Sequence, residues 1–194
     1  MDALADLLDG PVEEVAPRLL GAVLRHGPVA VRLTEVEAYA GADDPGSHSY
    51  RGPTPRNRVM FGPAGHLYCY LSHGIHVCAN VSVGPDGTPS GVLMRAGEVV
   101  DGIEIARSLR PGVADRDLAR GPGRLGRALG IALHHYGTDL TGGAITLTPG
   151  EPVDTIMSGP RTGLRRAAGR PWRFWIDGDP TVSPYRRHRL AEGF

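Results

Sequence analysis

The stretch VAVRLTEVEAY, from Val29 to Tyr39, constrains the chain more than any other. It alternates like a strand, and strand side chains point in turn to opposite faces. One face would then carry Val29, Val31, Leu33, Glu35, Glu37 and Tyr39. Three aliphatic residues and two carboxylates on one face break the usual separation of an apolar face from a polar one. Three arrangements answer the conflict. A bulge slips the phase so that Val36 and Ala38 take over the buried face, the face emerges into solvent, or a carboxylate is held in a partly apolar pocket for function.

Directly after the strand comes AGADDPGSHSYRGPTPRNRVMFGPAGHLYCYL, a glycine- and proline-rich excursion carrying two histidines, three tyrosines and Arg51, Arg56 and Arg58. Long loops with such side chains form sites more often than plain connections, which strengthens the third arrangement. Elsewhere, Val12, Val15, Leu19, Leu20 and Val23 recur at helical spacing between Pro11 and Leu24, with Glu13 and Glu14 in the first turn. LYCYL from Leu67, GIHVCANVSV from Gly74 to Val83 and SGVLMRA after a GPDG turn read as strands. Helical signals return at Asp101 to Leu109 and around Gly123 to Leu133, and AITLTP and RFWID are short β segments. The 28 glycines and 17 prolines fall between these segments as turn punctuation. The expectation is an α+β fold, one domain over residues 1–194, with a curved, mostly antiparallel β-sheet core flanked by helices and long loops.

The longest apolar runs fall far below the roughly 20 residues of a membrane span. The acidic start, MDALADLLDG, is unlike the basic head of a signal peptide, so a soluble cytoplasmic protein with reduced Cys69 and Cys78 is expected. Net charge is zero, which argues against indiscriminate coating of nucleic acid. The charge is unevenly spread, however. Residues 1–50 hold nine acids against Arg18, Arg25 and Arg32, whereas 161–194 hold eight arginines against Asp177, Asp179 and Glu192, a distribution that fits one anion-binding face or a solvated basic tail. There is no lysine, so no side-chain amine can form a Schiff base, and cleavage of a glycosidic bond would use water unless the N-terminal amine takes part.

TEVEAYAGADDPGSHS, TPRNRVMF, LYCYLSHGIHVCANVS, GVLMRAGEVVDG and ARGPGRLGRALGI resemble, in order, the successive motifs of the alkyladenine (3-methyladenine) DNA glycosylase family. The likeness runs from about Gly21 to Ser183, and five ordered blocks are far more specific than any single motif. It implies a single-domain, monomeric enzyme without metal or other cofactor. Such an enzyme flips a damaged purine (3-methyladenine, 7-methylguanine, hypoxanthine or ethenoadenine) out of double-stranded DNA and hydrolyses its N-glycosidic bond without lyase activity.

Carried over by position, the family's general base falls on Glu37, where a carboxylate would stabilise an oxocarbenium-like state and deprotonate water. Arg95 matches the arginine beside that water. Tyr39 and Tyr70 match the stacking walls and His48 the third wall; a cationic methylpurine between such rings would gain roughly 0.5–2 kcal/mol of cation–π attraction. Asn80, on the face of His76, Cys78 and Ser82, matches the residue that excludes the guanine 2-amino group. At the hairpin tip this chain has His73 where the vertebrate form has tyrosine, so either His73 fills the gap in the duplex less completely or Ile75 or His76 shares the wedge. Arg56 and Arg58, with Arg161 and Arg165 in the basic C-terminal region, would hold phosphates. His66, His73 and His76 lack a flanking Cys/His pair to complete a tetrahedral set, and no metal is expected.

Two other functions compete. An O-glycoside or nucleoside hydrolase would use Glu35 and Glu37 as an acid–base pair, but residues at i and i+2 project from one side whereas such a pair must flank the sugar. A non-catalytic reader of damaged DNA could use the same pocket and arginines without cutting.

Overall fold

The computed structural model describes residues 3–192. Eight strands are found among them: β1 (Val23–His26), β2 (Val29–Tyr39), β3 (Leu67–Ser72), β4 (His76–Val83), β5 (Ser90–Asp101), β6 (Ile145–Thr148), β7 (Ile156–Gly159) and β8 (Arg173–Ile176). They form one curled antiparallel sheet of order β3-β4-β5-β2-β1-β6, with β8 pairing to β2 and to β7. Four helices, α1 (Ala3–Leu8), α2 (Val12–Arg18), α3 (Ile103–Leu109) and α4 (Pro122–Ala128), flank it, so the fold is α+β as expected.

The conflict within β2 is resolved by a bulge. Leu33 pairs with Gly97, Glu35 with Ala96 and Val36 with Met94, so the register shifts on both sides of Glu35. Val29, Val31 and Leu33 before the slip and Val36 and Ala38 after it all join one hydrophobic core. Burying a Val or Leu side chain contributes roughly 1.5–3 kcal/mol, which favours the slip over an in-phase strand that would set two carboxylates among aliphatic residues. Glu35 and Glu37 then share the opposite face, and neither reaches solvent. At the same point β2 changes its edge partner, from β1 at Val29–Arg32 to β8 at Glu35–Glu37.

Sequence spacing extended the first amphipathic helix to Leu24, but α2 ends at Arg18 and Val23 opens β1. Leu19 and Leu20 are buried in the turn between, so their apolar spacing served the core rather than a helix. Gly21 makes the reversal with φ +85°, where a side chain would also meet the Glu151 carbonyl at 2.8 Å. Beyond the sheet, α4 lies so close to β4 that a Cβ on Gly126 would fall 2.3 Å from the Val77 carbonyl, and this approach carries the start of α4 to the polar face. Cys69 and Cys78 are free and stand on opposite faces, Cys69 opposite Ala79 and Cys78 opposite Tyr70. Burial pushes the Cys69 thiol up to about 12. Among the described residues no helix is long and apolar enough to cross a membrane.

Candidate active site

The sheet's polar face lines a cavity of about 500 Å³. Strand register sets out this face: Tyr68 on β3 stands opposite Asn80 on β4, Asn80 opposite Leu93 on β5, Leu93 opposite Glu37 on β2, and Glu37 opposite Arg173 on β8, with Tyr68, Asn80 and Leu93 forming the cavity floor. Two residues further along lie Tyr70, Cys78, Arg95 and Tyr39, on the same face by the period of two. His48 and Met60 come in from the long loop, Gly121–Arg124 from the start of α4, and Thr162–Leu164 and Arg186 from the C-terminal region. The volume and the mainly aromatic and aliphatic lining suit a flat ring ligand.

Glu37 lies just behind this lining and is fully buried. Its Oε1 accepts the Thr162 N–H at 2.6 Å, and its Oε2 accepts the Tyr39 hydroxyl at 2.8 Å and Arg95 Nη1 at 3.3 Å. All three donors line the cavity. The Thr162 hydroxyl is buried without a hydrogen-bond partner among the described residues. Burial and the neighbouring Glu37 charge push the Tyr39 phenol well above its ordinary value, so it remains a donor.

Glu35 is equally buried but differently held. Its Oε1 accepts Arg95 Nε at 2.9 Å and Arg173 Nε at 2.6 Å, and its Oε2 accepts the Ser183 N–H at 2.8 Å. Burial alone would raise this carboxyl, but Arg95 and Arg173 outweigh it and hold it below the usual carboxylate value. Burial likewise opposes the charge on Arg95, and Glu37 and Glu35 more than restore it. Arg95 thus bridges both carboxylates, with Nη2 directed to the Ser183 hydroxyl at 3.3 Å.

The aromatic walls hold one another. The His48 and Tyr70 rings meet edge to face with centroids 4.6 Å apart, and His48 Nδ1 shares a 3.0 Å hydrogen bond with the Tyr68 hydroxyl. Burial and then the charge of Arg56 lower the His48 pKa, which favours a neutral imidazole. Asn80 donates from Nδ2 to the Tyr68 carbonyl at 3.1 Å, which fixes its amide on the cavity floor.

Of the residues expected from sequence, Tyr39, His48, Tyr70, Asn80 and Arg95 line one cavity with Glu37 behind them, and His73 stands at its rim in the β3–β4 hairpin. His73 adopts φ +50°, unusual for a residue other than glycine, and Ile75 beside it is 73% exposed. Arg56 and Arg58 are exposed, Arg56 lying 5.8 Å from the Tyr70 ring centre. Arg165 is exposed and paired with Glu192 at 3.1 Å. Arg161 is a correction. It has no exposed surface, and it donates from Nη2 to Asp44 Oδ1 at 2.7 Å and from Nη1 to the Ala38 carbonyl at 2.8 Å. A guanidinium committed to a buried carboxylate cannot reach a phosphate. It lies instead 4.7 Å over the Tyr39 ring and backs that wall.

Arg173, Ser183, Tyr68, Asp44 and Arg186 were not singled out from sequence. The one available signal was an arginine inside the apolar RFWID strand, since a cation buried there demands a carboxylate nearby. Nothing local joined Ser183 to Glu35 or Asp44 to Arg161, which lie 148 and 117 residues apart.

The sequence also matches a known family over most of its length. A family model described as methylpurine-DNA glycosylase matches residues 6–180. A protein of Nocardia farcinica named "Putative 3-methyladenine DNA glycosylase" is 57% identical over 188 residues, covering 92% of this chain and 89% of its own. Proteins of the same name from Frankia casuarinae and Cutibacterium acnes are 52% and 51% identical over 95% and 91% of this chain.

Proposed function

Because the chain belongs to the methylpurine-DNA glycosylase family, whose enzymes cleave N-glycosyl bonds in DNA repair, we propose that it excises alkylated or deaminated purines from double-stranded DNA with water activated by Glu37. One observation carries this reading: a buried carboxylate, held by two neutral donors and one long contact to a cation, stands against an aromatic cavity of about 500 Å³.

The damaged nucleotide is flipped into the cavity, where Tyr39, Tyr70 and His48 enclose the base. The purine leaves with the electron pair of the bond from C1′ to its ring nitrogen, and C1′ gains oxocarbenium character that the Glu37 anion stabilises. Water forms the new C1′–O bond and gives its proton to Glu37. It enters where the contact is weakest, between Glu37 and Arg95 at 3.3 Å, and the unpartnered Thr162 hydroxyl offers it a further acceptor. Bases methylated at N3 or N7 depart from a cationic state and need no acid, whereas hypoxanthine takes up a proton as it leaves. Without lysine the chain has no side-chain amine to carry the reaction on to strand cleavage through a Schiff base, which supports a monofunctional hydrolase. Asn80 excludes the guanine 2-amino group, His73 and Ile75 fill the gap in the duplex, and Arg56, Arg58 and Arg165 hold phosphates.

The complete burial of Glu37 would also suit a protein that binds lesions without cutting them. Single-turnover base release from a duplex with one hypoxanthine or ethenoadenine separates the two. Wild type should release the base, and Glu37→Gln should lose about 10²- to 10⁴-fold while remaining folded. Lesion binding with no release by the wild type would establish the non-catalytic reader instead.

A further inference from the structure

We propose that Glu35 sets the basicity of Glu37 by restraining Arg95, and that Arg173 limits how strongly Glu35 does so. The inference rests on Glu37 being the base. Arg95 lies between two buried carboxylates but is held unequally, with Nε at 2.9 Å from Glu35 and Nη1 at 3.3 Å from Glu37. Glu35 cannot yield, because Arg173 at 2.6 Å and the Ser183 N–H at 2.8 Å fix both its oxygens. The Ser183 carbonyl in turn accepts Arg173 Nη2 at 2.8 Å.

Without the Glu35 charge, the Arg95 fork would close on Glu37. A guanidinium meets a carboxylate best through two parallel hydrogen bonds, and a carboxylate so engaged is a poor base. Glu35 therefore keeps Arg95 close enough to sustain the Glu37 anion but too far to quench it. The two carboxylates and two guanidiniums balance in charge. Removing the Glu35 charge leaves a cation in excess beside Glu37, and removing the Arg173 charge leaves an anion in excess, so the two changes act on Glu37 in opposite directions.

The other groups facing Glu37 do not offset this. Tyr39 on β2 and Tyr70 on β3 are raised by burial and stay protonated, as does the Cys78 thiol on β4 beside Arg95. Arg161, in the segment that brings the Thr162 N–H, is committed to Asp44. None of them changes between the variants below.

The test is the pH profile of single-turnover 7-methylguanine release, in which the base leaves without an acid and the acid limb reports the general base alone. In Glu35→Gln the limb should move down by about one to three pH units, and the plateau should fall at least about tenfold. In Arg173→Gln the limb should move up. Glu35→Asp, which keeps the charge, should leave the limb at the wild-type position even if the plateau drops. If Glu35→Gln does not fold, the upward shift in Arg173→Gln decides, provided that Arg173→Lys, which keeps the charge but disturbs the same packing, leaves the limb at the wild-type position. Unshifted limbs, or limbs that shift the same way in both charge variants, would overturn the inference. No release by the wild type, or an acid limb that persists in Glu37→Gln, would instead overturn the assignment of the base.

Discussion

Glu35 and Glu37 stand two residues apart on one face of β2, both without exposed surface, yet their surroundings differ in kind. Around Glu35 two guanidiniums and a backbone N–H take up both oxygens at 2.6–2.9 Å. Around Glu37 the donors are a phenol, a backbone N–H and one guanidinium at 3.3 Å, and all three belong to a cavity wall. Burial by itself therefore does not mark a reactive carboxylate. What separates the two is how many cations share the charge and whether a cavity adjoins it, and the proposed role of Glu37 rests on that contrast.

The largest effect that tests this contrast is on stability. Glu35→Ala strands Arg95 and Arg173 without their carboxylate, and breaking a buried pair costs about 3–5 kcal/mol. Glu37→Gln can still accept the Thr162 N–H and should cost only about 1 kcal/mol, near the net worth of one hydrogen bond. Urea denaturation of the two variants measures the difference, and equal losses would break the comparison. The pH dependence sharpens it. Because the folded protein holds Glu35 below its ordinary value of 4.5, its contribution is fully present above that pH and is lost as pH falls through the folded value. The wild-type urea midpoint should fall more steeply below pH 4.5 than that of Glu35→Gln.

Much of this was legible in the chain itself. The alternation of VAVRLTEVEAY exposed the conflict that the bulge at Glu35 resolves, and strand periodicity put His76, Cys78, Asn80 and Ser82 on one face. The motifs named Glu37 and, of the cavity lining, Tyr39, His48, Tyr70, His73, Asn80 and Arg95. What was not legible is pairing over distance. Whether Arg161 meets a phosphate or Asp44, and whether Glu35 meets solvent or Arg173, depends on segments more than 100 residues apart, and no local pattern encodes which charges meet. The early end of α2 has the same origin: Val23 fits helical spacing, but pairing with β2 and β6 claims it for a strand.

Arginines divide as the carboxylates do, and DNA binding separates them. Arg161 is committed through both Nη atoms to Asp44 and two carbonyls, whereas Arg58 is exposed at the turn that opens Arg58–Phe61. Arg58→Ala should lower the slope of log affinity against log salt by about 0.9, the value for one lost phosphate contact on duplex DNA. Arg161→Met should leave the slope unchanged in whatever fraction remains folded. A lower slope for Arg161→Met would return that residue to the DNA interface.

The smallest effect is expected at Tyr39, and it tests how near Glu37 stands to full neutralisation. Tyr39→Phe keeps the ring beneath Arg161 at 4.7 Å and removes only the hydroxyl that donates to Glu37 at 2.8 Å. A hydrogen bond of about 0.5–1.5 kcal/mol net corresponds to a change of roughly tenfold or less. Burial and the Glu37 charge keep this phenol protonated well beyond the usual range, so the same donor is lost at every working pH. Glu37, with one donor fewer, should become more basic, and the acid limb of 7-methylguanine release should rise by up to about one pH unit, since one unit is 1.36 kcal/mol. A loss beyond about a hundredfold would exceed what one such bond supplies and would place the hydroxyl in the chemical step. Glu37 would then act through its phenol, and the long Arg95 contact would no longer be where its reactivity lies.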